Sequence, residues 1–190
     1  MREDKAVLRA QLTAMRRDHA GLGEPDLRAR VLELPEIKSA RRVLLYAATR
    51  GEVPTEPLAQ ALRANGVSLA VPRITPDGLV AAPFHRWDDL VPGAFRILTS
   101  DAPAWHGAID VVVVPGVGFT ARGDRLGLGR GDYDRLLART PISCKLAIAW
   151  DFQVLDDLPT EAHDQRMDVI VTPTRTVRTN AASTASSATS

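Results

Sequence analysis

Six of the thirteen glycines in this 190-residue chain fall between Gly116 and Gly131, far more than an even spread would place there. Arg122, Arg125 and Arg130 are interleaved with them, and Asp134 follows three residues later. Glycines let backbone N–H groups approach anionic oxygens closely. Guanidinium groups are permanently charged, planar donors that match phosphate geometry. Residue types and crowding therefore make this segment a phosphate cradle. It is not one of the simple phosphate loops. Gly-x-x-x-x-Gly-Lys-Ser/Thr is absent, and Gly127-Leu-Gly129-Arg-Gly131 breaks the dinucleotide spacing because Asp132 stands in the sixth position. Asp134 would lie in the first turn of a helix, where a carboxylate complements the helix dipole. It could equally hold Mg2+ beside phosphates, because that ion takes one or two carboxylates plus phosphate oxygens. Asp164 is a second carboxylate of this kind.

The elements that must position these groups can be read from periodicity. Asp110 to Val114, four valines after an aspartate, is a buried strand directly before the cradle, and a helix from about Asp132 to Arg139 follows it. Ligands of open α/β sheets bind outside the carboxyl ends of strands, where this segment falls. Upstream, Leu8, Leu12 and Met15 give the helix Arg2–His19 an apolar stripe, Lys5 and Arg9 share another face four residues apart, and Gly21 and Gly23 end it. A second helix runs from Pro25 to Leu34. The strand Arg42 to Ala47 is followed by a polar loop, Thr55 as N-cap, a helix Glu56 to Ala64 and a strand Ser68 to Val71, a unit that favours a parallel crossover. Leu79 to Ala82 and Phe95 to Leu98 are weaker strands. Breakers between Pro72 and Pro103 predict irregular structure there. Lys145 to Ala149 and Asp168 to Val171 are the last strands. The expected fold is α/β, a three-layer α/β/α sandwich around a mostly parallel sheet with room for mixed pairing. Residues 1–178 form one domain, and 179–190, almost all Ala, Ser and Thr, are a disordered tail.

Composition removes several function classes. Twenty-four basic residues against 23 acidic ones leave a net charge of +1, which argues against general nucleic-acid or membrane-surface binding. The N-terminus does not look like a signal peptide, and no apolar stretch approaches the roughly 18 residues of a bilayer span. One cysteine, Cys144, permits no internal disulfide and reads as a core residue, in keeping with a reducing cytoplasm.

The central stretch, Val113-Val-Pro-Gly-Val-Gly-Phe-Thr-Ala-Arg-Gly-Asp-Arg-Leu-Gly-Leu-Gly-Arg-Gly-Asp-Tyr-Asp-Arg135, resembles the signature of the 5-formyltetrahydrofolate cyclo-ligase (methenyltetrahydrofolate synthetase) family. Lys5-x-x-Leu8-Arg9, Gly51-Glu-Val-Pro-Thr55, Val71-Pro-Arg73 and His163-Asp-Gln-Arg-Met-Asp-Val-Ile-Val-Thr-Pro173 are similar to further family segments, in order. The resemblance implies an ATP- and Mg2+-dependent conversion of 5-formyltetrahydrofolate, with or without a polyglutamate tail, to 5,10-methenyltetrahydrofolate. In that reaction ATP phosphorylates the formyl oxygen, N10 attacks the activated carbon, and phosphate leaves alongside ADP.

Carried over by the resemblance, Lys5, Arg9 and the run Arg125, Leu126, Gly127, Leu128, Gly129, Arg130, Gly131, Asp132 and Tyr133 contact the nucleotide. Arg125 and Arg130 are the catalytic cations. Asp134 and Asp164 hold the metal. Ala47, Glu52, Phe119, Leu128, Gly129, Arg130 and Asp132 meet the folate, with Glu52 on the pterin ring. Two departures stand out: Asp132 replaces an aromatic residue common in the family, and Arg96 to Pro103 differs from the usual stretch before the valine strand. They leave open a family-like ATP-binding protein with another substrate, or a non-catalytic folate- or nucleotide-binding module. The expected protein is a cytoplasmic monomer.

Overall fold

A computed structural model describes residues 2–19, 23–49 and 51–179. Gly21 and residues 180–190 lie outside the described residues. Thr179 does not belong with a tail: it is buried and its hydroxyl donates to the Met167 carbonyl.

The helices are α1 Arg2–Asp18, α2 Glu24–Glu33, α3 Pro35–Lys38, α4 Glu56–Ala64 and α5 Asp132–Arg139. The main sheet contains β1 Arg42–Leu44, β2 Ser68–Thr75, β3 Gly78–Phe84, then β6 Ile109–Val114, β9 Ile142–Ile148, β11 Val169–Val171 and β12 Thr176–Arg178. Its order is β12-β11-β9-β6-β1-β2-β3. The five inner strands run parallel, and β3 and β12 pair antiparallel at the two edges. The sheet is thus mixed as well as mostly parallel. The short pair β4 Val91–Pro92 and β5 Leu98–Thr99 lies apart from it, and β7 Gly118–Thr120, β8 Arg125–Leu126 and β10 Val154–Leu155 make a small third sheet.

The valine strand divides the core. Val111 and Val113 face α2, α3 and α4, whereas Val112 and Val114 face α5 and the small sheet. Period-two alternation with both faces apolar is what a strand buried on both sides requires. Chain order then makes a cleft. From β1 the chain crosses through α4 to β2 on one side, and from β6 it crosses through α5 to β9 on the other. The loops leaving β1 and β6 therefore diverge, and the gap between them is where an open α/β sheet takes a ligand.

Several expectations are corrected. Breakers predicted irregular structure after Pro72, but β2 and β3 form a regular hairpin. Pro72 is tolerated because β1 pairs with β2 only through Ala70, so no ladder is waiting for the missing N–H. Phe95 to Leu98 is not a strand: Ala94–Arg96 is a 3-10 turn, and only Leu98 and Thr99 pair. The glycine-rich segment is not an open loop either. β7 and β8 fold it into a hairpin whose Phe119 is fully buried, a contribution of about 2–3 kcal/mol. Thr55 occupies the N-cap of α4, yet its hydroxyl donates to the Tyr46 carbonyl rather than to the helix.

On α1 the inward residues are Lys5, Leu12 and Arg16, while Met15 is about half exposed. Leu12 packs against Val117, Leu126 and Leu158. This small cluster seats the helix across the carboxyl end of the sheet, directly over the hairpin.

Candidate active site

One cavity of about 600 Å3 opens between the loops that leave β1 and β6. Its floor is Pro115 and Gly116 at the end of the valine strand. One wall is 125–134, a second comes from Tyr46, Ala47 and Glu52, and α1 closes the top.

Arg125, on β8, is buried. It donates from Nη2 to Asp134 Oδ1 at 2.7 Å and from Nη1 to the Pro115 carbonyl at 3.2 Å. The Gln165 amide donates to the same Asp134 oxygen at 3.2 Å. Burial works against ionising Asp134, but the charge and hydrogen bond of Arg125 outweigh it and hold the carboxyl below the usual aspartate range. Gly127 lies close under Arg125: a Cβ there would sit 2.7 Å from Nη1 and push on the guanidinium. Gly129 has φ +92, a left-handed conformation that disfavours side chains. Gly131, also left-handed, caps α5 without a side chain. The first-turn amides of α5 begin there, an end of a helix that favours anions.

From above, Arg9 Nε donates to the Gly127 carbonyl at 2.8 Å. Lys5 is 6% exposed, and its Nζ donates to Glu161 Oε1 at 3.0 Å and Asp164 Oδ2 at 3.2 Å. Arg130 is tethered to Asp132 at 2.9 Å, and its Cζ lies 4.4 Å from the centre of the Phe95 ring. Glu52 Oε2 accepts from the Thr49 amide at 2.8 Å and the Thr49 hydroxyl at 2.9 Å.

The structure thus gathers Lys5, Arg9, Ala47, Glu52, Asp164 and the whole run Arg125 to Asp134 on one cavity. Two residues do not join them. Phe119 does not line a folate pocket, because its inward-facing position on β7 puts it in the core against the underside of Gly116. Arg122 turns away to Asp124 and Asp157 and leaves the cradle. Cys144 is core, with burial pushing its thiol up to about 12.

Other lining residues escape simple patterns. Arg16 is buried at the inner end. Arg73 clamps the carbonyls of Ser100 and Ala102 at 2.7 Å each, drawing the divergent Arg96–Pro103 stretch onto the cavity. Phe95, 70% exposed with φ +56, lines the cavity, as does exposed Leu128. Glu161 joins Asp164 on Lys5. Of these, only Arg73 left a signal in sequence, in the Val71-Pro-Arg73 segment.

Among the described residues no group of three or more His, Cys, Asp and Glu side chains is arranged to hold a metal alone. Asp134 and Asp164 nevertheless line the same cavity as the phosphate-type donors. That donor set fits Mg2+, which is commonly held by one or two carboxylates and completed by phosphate oxygens and water.

Fold and cleft together define an open-sheet α/β enzyme with one deep site at the carboxyl ends of its central strands. Residues 1–173 match the 5-formyltetrahydrofolate cyclo-ligase family. The chain belongs to that family. It is 28% identical over 155 residues to the 5-formyltetrahydrofolate cyclo-ligase of Escherichia coli, covering 77% of this chain and 85% of that one. To the Haemophilus influenzae protein of the same name it is 28% identical over 181 residues, covering 90% and 95%. The NMR structure of Aquifex aeolicus 5,10-methenyltetrahydrofolate synthetase superimposes with a TM-score of 0.82 at 30% identity, covering 93% of each chain. A Mycoplasma pneumoniae 5,10-methenyltetrahydrofolate synthetase, 22% identical with a TM-score of 0.69, shares the fold.

Proposed function

We propose that this protein converts 5-formyltetrahydrofolate to 5,10-methenyltetrahydrofolate at the expense of ATP, with Mg2+, and releases ADP and phosphate. The observation that carries the reading is the meeting of two chemistries in one cavity: a cationic, glycine-lined wall at 125–131 and a carboxylate-bearing wall at Glu52. Family membership supplies the reaction, in which the nucleotide provides the phosphoryl group that activates the formyl oxygen and Mg2+ neutralises phosphate charge.

The chain's own part is positioning and electrostatics, which dominate phosphoryl transfer. The amides of Leu128 to Gly131 and the guanidinium of Arg125 cradle phosphate oxygens. Arg9 braces that cradle through the Gly127 carbonyl. Lys5 adds a second cation from α1, and Asp134 and Asp164 hold the metal. Arg130, which lines the same cavity, stabilises charge developing between the transferred phosphoryl group and the formyl oxygen. Glu52 accepts N–H groups of the pterin, Ala47 gives it a flat apolar neighbour, and Phe95 and Leu128 cover the benzoyl part toward the mouth. The mouth leaves room for a glutamate tail.

No helix among the described residues is long and apolar enough to cross a membrane. A cytoplasmic, monomeric enzyme is the reading consistent with one buried thiol and a small, self-contained site. The test is turnover by the purified chain. With ATP and Mg2+, methenyltetrahydrofolate absorbance should appear together with one phosphate per product. Nucleotide binding without folate binding would instead favour a family member acting on another substrate, the alternative that Asp132 and the Arg96–Pro103 stretch motivate.

A further inference from the structure

The inner end of the cavity carries polar atoms with no partner inside the protein. Five buried side-chain nitrogen or oxygen atoms among the described residues lack a hydrogen bond, and three belong to cavity residues: Arg16 Nε, Arg125 Nε and the Tyr133 hydroxyl. Each such atom costs about 1–3 kcal/mol when left unpaired. The three side chains line one cavity. Arg125 is accounted for by the phosphate cradle. Arg16 is not, and Tyr133, expected beside the nucleotide, keeps a hydroxyl with no partner.

Both stand near Glu52. Arg16 is 4% exposed, donates from Nη1 to the Gly116 carbonyl at 3.1 Å, and places the same nitrogen 3.6 Å from Glu52 Oε1. Glu52's other oxygen is already fixed by Thr49. Tyr133 carries its hydroxyl on the same cavity, with no hydrogen-bond partner inside the protein. A carboxylate held from two sides thus sits in the same end of the cavity as two unused donors.

We propose that Arg16 is a specificity-determining residue for the folate. It fixes Glu52 as an acceptor and, with Tyr133, offers donors beside it, so this end of the cavity grips a planar ring bearing N–H donors next to a carbonyl oxygen. The 2-amino-4-oxo edge of a reduced pterin has that pattern. A ring lacking the carbonyl would leave the Arg16 and Tyr133 donors unpaired in a dry site, which is how buried polar groups discriminate. This inference rests on the folate reading above and assigns Arg16 to the substrate rather than to the nucleotide.

The experiment compares wild type with R16M, R16K and Y133F as full-length proteins. It measures KM, kcat and equilibrium dissociation of 5-formyltetrahydrofolate, and separately the dissociation of ATP with Mg2+. Loss of a charge-assisted hydrogen bond predicts folate binding weakened about 10- to 100-fold in R16M, with part of the loss recovered in R16K. ATP affinity should stay within about threefold, the size of an indirect effect. Adding E52Q to R16M should weaken folate binding by less than the product of the single effects, because the two side chains act as a unit. Folate affinity unchanged in R16M, or ATP and folate weakened alike, would overturn the proposal. If R16M does not fold, the folate-to-ATP ratio in R16K and Y133F decides in the same way. A wild type that binds no folate would instead bring down the proposed function.

Discussion

Both carboxylates assigned to the metal are paired with cations assigned to the nucleotide: Asp164 with Lys5 and Asp134 with Arg125. Lys5 is the sharper test. Lys5→Met keeps the aliphatic stem and removes the charge that Glu161 and Asp164 share at 3.0 and 3.2 Å. Breaking a fully buried pair by removing one partner costs about 3–5 kcal/mol. Glu161 keeps a third of its side chain exposed, so solvent screens part of this, and about 2 kcal/mol is the working figure. For a domain of this size that lowers Tm by about 4–8 °C. Relieved of Lys5, the two carboxylates, which still face His163, should then attract a divalent cation without any nucleotide. A tenfold excess of Mg2+ over its dissociation constant would return about 1.4 kcal/mol. In wild type, Lys5 fills that position and Mg2+ alone should do little. ATP affinity should fall about 10- to 100-fold for the lost charge-assisted contact. Thermal melts with and without Mg2+, and calorimetry with ATP, read all three effects. A variant that Mg2+ stabilises no more than wild type, or that binds ATP unchanged, would refute the idea that Lys5 exchanges carboxylate for phosphate.

Gly127→Ala places a methyl 2.7 Å from Arg125 Nη1. It should displace that guanidinium and raise the KM for ATP at least tenfold, with kcat also lowered, in steady-state kinetics. Phe95→Ala removes an exposed ring that faces the cavity mouth. Folate KM should rise about two- to tenfold, the value of one aromatic contact, with Tm unchanged within about 1 °C since the side chain is not core. Asp134, Asp124 and Asp151 all ionise more readily in the fold than the ordinary aspartate value of 3.8. A depressed carboxyl contributes stability that is present above its unfolded value and lost as pH falls through its folded one. Denaturant unfolding should therefore show stability falling steeply below about pH 4, and Asp124→Asn should flatten that fall.

The parallel core was legible because its strands are apolar on both faces, as Val111 to Val114 shows, and because α4 begins and ends on clear signals. The cradle was legible because glycine and arginine crowd where a strand gives way to a helix. Other features were hidden by tertiary context. The inner face of α1 reads from sequence as Leu8, Leu12 and Met15, yet the fold turns Arg16 inward and leaves Met15 out, since the helix packs over a polar cavity. Apolar periodicity cannot reveal a buried arginine whose partners lie 36 and 100 residues away. Phe119 illustrates the converse. Its place in the signature suggested a ligand contact, but its β7 position faces the core. The regular hairpin at Gly78 depended on β1 ending early, which no local pattern in β2 records.

The position of the triphosphate is the decisive observation. A crystal of the protein soaked with Mg2+, a non-hydrolysable ATP analogue and 5-formyltetrahydrofolate should show phosphate oxygens on the amides of Leu128 to Gly131 and on Arg125, and the pterin against Glu52. Phosphates bound elsewhere, or the two ligands in separate cavities, would contradict it.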